Sequence, residues 1–159
     1  MKKILFLLLY VFISQAAFAQ DGAIEYDIEP SGTGQKGMSL VKISVYVKKT
    51  KQATPALLKK AAVHGIIFRG LSESGVTGYT KQRPLVSSPT AAQQYGDYFE
   101  AFFQDGGKYL SYANMVGSIT DAVKINKKYR VSAVINVSTD EIRRALREAG
   151  VIKGMTDGF

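Results

Sequence analysis

Two runs of strict alternation constrain this chain more than any other feature. In "LVKISVYVKK" the side chains of Val41, Ile43, Val45 and Val47 fall on one side of an extended backbone, and in "YRVSAVINVS" those of Tyr129, Val131, Ala133, Ile135 and Val137 do the same. A two-residue period is that of a strand with one buried face and one solvated face. "GAIEYDIEP" alternates in the same way, with Ile24, Tyr26 and Ile28 set against Glu25, Asp27 and Glu29 until Pro30 stops it. The glycine-rich "SGTGQKG" that follows predicts a hairpin between this strand and the next.

Helical spacing follows two of the strands. Thr54 can accept a hydrogen bond from exposed first-turn amides, and Pro55 fits the first helical position, where no backbone donor is needed. From there Leu57, Leu58, Ala61, Ala62, Gly65 and Phe68 share one side at 3.6 residues per turn, and Gly70 predicts the stop. Ser88 and Pro89 open a second helix, in which Ala91, Tyr95, Tyr98, Phe99, Phe102 and Phe103 cover one arc opposite Asp97, Glu100 and Gln104. In "STDEIRRALREAG" the pair Ser138 and Glu141 predicts a capping box, Ile142, Ala145, Leu146 and Ala149 form the inward side, and Gly150 ends the helix. The residues 71–88 show no period and read as a long loop; "KYLSYANMVG" reads as strand-like, and Asn126-Lys127 as a turn.

The expected fold class is therefore α+β, a mainly antiparallel sheet with two to three amphipathic helices packed on one face. "LKKAAVHGIIFRG" from Leu58 and "IRRALREAGVIKG" from Ile142 echo one another at an offset of 84 residues, each after a strand of alternating valine and isoleucine. A duplicated strand-helix unit would produce that echo, but basic amphipathic helices also resemble one another by chance, which is the plainer reading.

Lys2 and Lys3, the apolar run "ILFLLLYVFI" and the small residues Ala17 and Ala19 form the pattern of a secretory signal peptide cleaved after Ala19. The run is half of the ~20 apolar residues that a membrane-spanning helix needs, so no stable membrane insertion is expected. The expected organisation is 1–19 signal peptide and 20–159 a single α+β domain, long enough to bury ~70% of its unfolded surface. There is no cysteine, which excludes disulfides, thiolate metal ligands, a cysteine nucleophile and a cysteine-linked lipid anchor. The net charge of +8 falls to +6 without Lys2 and Lys3, a balance suited to anionic envelope polymers or lipid headgroups and equally to solubility alone. The bases are dispersed, with "KKTK" from Lys48 to Lys51 the densest stretch, so nucleic acid is not an expected partner.

Candidate chemistry is sparse. His64 is the single histidine and borders the inward stripe of its helix, where a half-buried packing residue with one ring nitrogen bonded locally is expected. A zinc site wants three or four ligands and a serine hydrolase wants a G-x-S-x-G elbow; neither is present, and no metal or cofactor is expected. Asp97 and Glu100 lie on one solvated helix face and do not make a glycosidase pair across a cleft. Asn136-Val137-Ser138 fits a glycosylation sequon but lies in a strand. Tyr95, Tyr98, Tyr109 and Tyr112 are possible ligand-stacking aromatics, with core packing as the plainer role. In the 71–88 loop, Tyr79, Lys81 and Arg83 alternate, which in an extended segment puts an aromatic ring and two cations on one side, suited to an acidic partner.

The leader ending "AFAQ" resembles those of secreted proteins of Bacteroidota, and the remainder is similar to a small family of exported proteins from that group. "VKISVYVKK" and "YRVSAVINVS", each leading into a helix, also resemble the Lpp20-type and TolB amino-terminal-like envelope domains. That resemblance implies a periplasmic or extracellular location and carries over no functional residue; the absent cysteine departs from the lipid-anchored pattern. The expected function is a non-catalytic secreted or periplasmic module that binds another cell-envelope component, a protein or an anionic polymer. A small-ligand or glycan binder using the tyrosines is the alternative. An enzyme would require a concave pocket in which His64 or Tyr79 meets carboxylates. Intact-mass measurement of the exported product should show a chain beginning at Gln20; a stable membrane-integrated form retaining Met1 would refute the cleavage site.

Overall fold

The computed structural model of the chain describes residues 23–72 and 81–153. The expected leader and Tyr79 lie outside the described residues. Strands β1 (Tyr26–Pro30), β2 (Ser39–Val47), β3 (Ala113–Val116), β4 (Val123–Ile125) and β5 (Lys128–Val137) form one antiparallel sheet in the order β1-β2-β5-β3, with β4 on the same edge of β5 as β3. Helices α1 (Pro55–Phe68), α2 (Pro89–Gln94), α3 (Gly96–Phe103) and α4 (Thr139–Glu148) complete the α+β architecture, with the helices packed against one face of the sheet.

The central feature is the β2–β5 ladder, in register from Ser39↔Val137 to Val47↔Tyr129. Its alternating residues Val41, Ile43, Val45, Val131, Ala133, Ile135 and Val137 are buried beneath the helices. The opposite face is polar, and part of it is internally bonded: Ser44 and Ser132 hydroxyls are 2.7 Å apart, and Tyr46 Oη donates to Asp27 Oδ2 at 2.6 Å. Asn126, at φ 55, makes the tight β4–β5 turn expected at Asn126-Lys127.

Helix α1 is buried more completely than a single stripe predicts. Val63, Ile66 and Ile67 are buried as well as Leu58, Ala61, Ala62 and Gly65, because the sheet covers one side while a 3₁₀ turn at Lys108–Tyr112 and the α3 aromatics cover the other. Thr54 caps it as expected, its hydroxyl accepting from Leu57 N at 3.1 Å.

Four local expectations need correction. The helix from Ser88 is broken into α2 and α3 at Tyr95, whose φ of -107° and ψ of 30° leave the helical region while its hydroxyl reaches Gly150 O at 2.7 Å. The strand-like stretch after Gly107 begins as the 3₁₀ turn and becomes extended only at Ala113. Ser138 makes no side-chain cap, because β5 runs straight into α4: Ser138 N–H is still held by Tyr112 O in the ladder, and the Asp140 amide of the first turn goes to Gly37 O at 3.0 Å. The 71–88 loop is tied at its base, with Leu71 N donating to Gln82 O at 2.8 Å and Gln82 N to Leu71 O at 3.1 Å.

That tie depends on Gly70. Its φ of +69° belongs to the left-handed region, and a Cβ there would fall 2.3 Å from Gln82 O and 2.7 Å from Pro84 N, both backbone atoms. The returning segment then gives Val86 N–H to Ile67 O at 2.9 Å, satisfying a carbonyl at the end of α1. Gly150 has a similar φ of +72° but only Tyr95 Oη, at 3.9 Å, near a would-be Cβ. Gly70→Ala should therefore cost more than about 2 kcal/mol and speed tryptic cleavage after Lys81, while Gly150→Ala costs about 1 kcal/mol. Equal shifts in urea midpoint for the two variants would contradict the crossing.

Candidate functional site

The residues singled out in the sequence are not gathered into one place. Lys81 and Arg83 are exposed, and Gln82 between them is half-buried and accepts from Ser39 Oγ at 2.9 Å. The tyrosines are built into packing. Tyr109 is buried at 2% exposure; Tyr112 stacks on Phe102 with ring centroids 5.8 Å apart and planes at 12°, and Tyr98 stacks on the same ring at 28°. Burial raises the hydroxyl pKa of Tyr98, Tyr109 and Tyr112 above its ordinary value.

His64 sits between α1, α3 and β1. Its ring lies 4.8 Å from that of Phe68 and 5.6 Å from that of Phe103, and its Nδ1 is 2.7 Å from Tyr26 Oη. The partner comes from β1, 38 residues away, and not from the local helix as expected. Arg69 completes the group: its guanidinium carbon is 3.9 Å from the Tyr26 ring centroid, and Nη1 donates to Tyr26 O at 2.7 Å. Burial, with Arg69 and Lys60 adding to it, lowers the His64 pKa to about 4. Burial raises that of Tyr26 to about 12, against a smaller lowering by Arg69. His64 does face a depression of about 410 Å³ together with Lys60, Glu100 and Asp105. At neutral pH it is an uncharged ring with Nδ1 already committed to Tyr26, poorly matched to a general base, whose useful pKa lies near the working pH.

The β2–β5 ladder brings together a cluster that sequence order hides. Beyond the Val47↔Tyr129 pair, β2 continues into Lys48, Lys49 and Lys51, while Lys124, Lys127 and Lys128 come from the β4–β5 hairpin. Six lysines from two stretches more than seventy residues apart thus occupy one end of the sheet. Glu25 is the acid paired here among the described residues, with Lys128 Nζ. In the sequence the signal is two short basic runs, "KKTK" and "KINKK"; only the strand register makes them one surface.

Lys48 and Lys128 also stand at a concavity of about 500 Å³ whose apolar wall includes Ile24, Val47 and Leu57. A second concavity of about 390 Å³ shares Ala23, Ile24, Gln52 and Leu57 with it and runs on past Lys60 to Tyr109. The two adjoin as a trough with a cationic mouth. Among the described residues, no group of three or more His, Asp or Glu is arranged to hold a metal ion, and no helix is long and apolar enough to cross a membrane. Comparison with protein-family models, with curated proteins and with solved structures finds no match to the chain.

The His64 environment sets a pH signature. With the folded pKa near 4 and the unfolded value near 6.5, the unfolded chain takes up the proton first, so the native state loses stability as pH falls through that window. The loss should reach up to about 1.4 kcal/mol per pH unit. His64→Gln removes this slope at a fixed cost on the order of 1 kcal/mol at neutral pH. Urea midpoints of the two proteins should converge and then cross within the window, His64→Gln becoming the more stable at its acid end; parallel curves would show that His64 is not held neutral.

Proposed function

We propose that the chain is a non-catalytic exported module that docks on an anionic component of the cell envelope through the lysine end of its sheet. The observation that carries this reading is the convergence of Lys48, Lys49, Lys51, Lys124, Lys127 and Lys128. Like charges gathered at one end of a sheet repel one another and act together on an approaching anion. A phosphate- or carboxylate-bearing partner relieves that repulsion and releases its own counterions. The leader pattern supports a partner in the envelope, as does the resemblance to envelope domains.

Binding of the exported protein to immobilised polyphosphate tests the reading. Recovery should fall steeply as salt rises from about 50 mM to about 200 mM, as multi-site cation–phosphate contacts do. Replacing Lys48, Lys49, Lys51 and Lys127 by Gln, all exposed, should weaken binding at least tenfold and leave thermal stability nearly unchanged. The parallel variant with Tyr79, Lys81 and Arg83 replaced by Ala locates the surface: loss of binding there, with the lysine variant unaffected, would move the docking surface to the 71–88 loop. Salt-independent binding that neither variant changes would end the proposal.

A further inference from the structure

We infer that the trough behind the lysines takes an acyl chain, so that the anionic partner is an acidic lipid whose head rests on Lys48 and Lys128 and whose chain lies along Ile24 and Leu57. This rests on the anionic-docking reading and narrows it to a ligand class. A polymer of charged units needs cations spread over a surface and has no use for an apolar recess. Here the recess opens at the cations themselves: Lys48 and Lys128 share one concavity with Ile24, Val47 and Leu57, and that concavity continues through Ile24 and Leu57 into the one floored by Tyr109. The two volumes, about 500 and 390 Å³, fall in the range of small-molecule sites.

Charged and polar groups line the trough beside the apolar ones: Glu25, Lys48 and Lys128 at the mouth, and Gln52, Thr54, Lys60 and Asp105 farther along, next to Ile24, Ala56 and Leu57. At the mouth, Glu25 already engages Lys128, which holds that ammonium over the opening while leaving its remaining donors for a headgroup oxygen. Gln52 accepts from Lys49 N at 2.9 Å, fixing the turn that carries Lys48 to Lys51 against the rim. Farther in, Ile24 and Leu57 are partly buried hydrophobics packed against the core, so their outer surfaces gain from being covered.

The test uses single-chain alkyl phosphates of increasing length on the exported protein, each kept below its micelle concentration, with polyphosphate as a chainless anion. Affinity should rise about threefold to fourfold per added methylene until the trough is filled. An uncharged alkyl glycoside of the same length should bind far more weakly. Leu57→Gln should flatten the chain-length dependence and leave polyphosphate binding intact. Vesicles of zwitterionic lipid doped with phosphatidylglycerol should retain the protein, and undoped vesicles should not.

Polyphosphate binding with no chain-length dependence would overturn the lipid assignment and leave the anionic module standing. Failure of every anion would overturn both. Alkyl phosphate binding that appears only after residues 20–22 are removed would assign the trough to the chain's own preceding segment. Self-association abolished by Leu57→Gln would assign it to a second copy. Either result overturns the inference.

Discussion

Helix α1 is apolar almost all the way round, and the rest of the molecule is arranged to cover it. A helix of that kind is stable only between two layers. The sheet supplies one layer, and α3 with the 3₁₀ turn and the returning 82–86 segment supplies the other. Gly65 sets how close the first layer can come, since a methyl there would fall 2.6 Å from Ile28 Cδ1 and 3.4 Å from Tyr26 Cε2. The polar group on the crossing, His64, is accommodated because the same strand offers Tyr26 Oη. Arg69 then ties that strand to the end of the helix through both the ring and the carbonyl of Tyr26. Apolar contact and hydrogen bonding thus fix one geometry between α1 and β1.

Around this helix the chain follows the same plan twice. The β1–β2 hairpin leads to α1, and the β3, β4 and β5 hairpin leads to α4, with β2 and β5 side by side in the middle. The two echoing segments occupy corresponding places, each after a central strand; α1 and α4 each stop at a glycine of positive φ, Gly70 and Gly150, although the 84-residue offset does not align these two glycines with one another. The arrangement is quasi-symmetric about the Ile43↔Ala133 pair, which puts both helices on the same face. It departs from symmetry where the connections differ in length. From β5 to α4 only Ser138 intervenes, whereas from β2 to α1 the chain spends Lys48 to Thr54 on a rim. That longer rim carries half of the lysine cluster.

Much of this was legible because it is local. Alternation located the long strands, Thr54-Pro55 the start of α1, and Gly70 and Gly150 the left-handed stops. Misread features depend on partners remote in sequence. The spacing of Tyr95, Tyr98, Phe102 and Phe103 suits one helix, and nothing in it announces that Tyr95 will be drawn to Gly150. Ser138 and Glu141 have the right spacing for a capping box, yet Gly37, about a hundred residues away, supplies the first-turn acceptor. The lysine end was hidden for the same reason: charge counted along the chain appears dispersed until the ladder superposes two short runs.

The surfaces left open differ in what they have to gain from a partner. A sheet edge offers unpaired backbone groups, but β1 is blunted: Glu25 O and Ser31 N are turned toward β2, Pro30 has no donor to offer outward, and Tyr26 O is taken by Arg69. The uncovered sheet face has spent several of its polar groups on internal bonds, with Tyr46 on Asp27, Ser44 on Ser132, and Thr120 on the backbone of Ser132 through its amide and hydroxyl, while Asn136 Oδ1 has no partner among the described residues. The lysine end is different in kind. Its charges come from two connections that the ladder forces together, and Glu25 answers Lys128 alone among the described residues. Because lysine side chains stay solvated, this concentration of charge costs the fold little. An anion arriving there removes repulsion without having to displace an existing partner from the exposed lysines, whereas at the bonded groups of the edge and the open face it would have to break bonds already made.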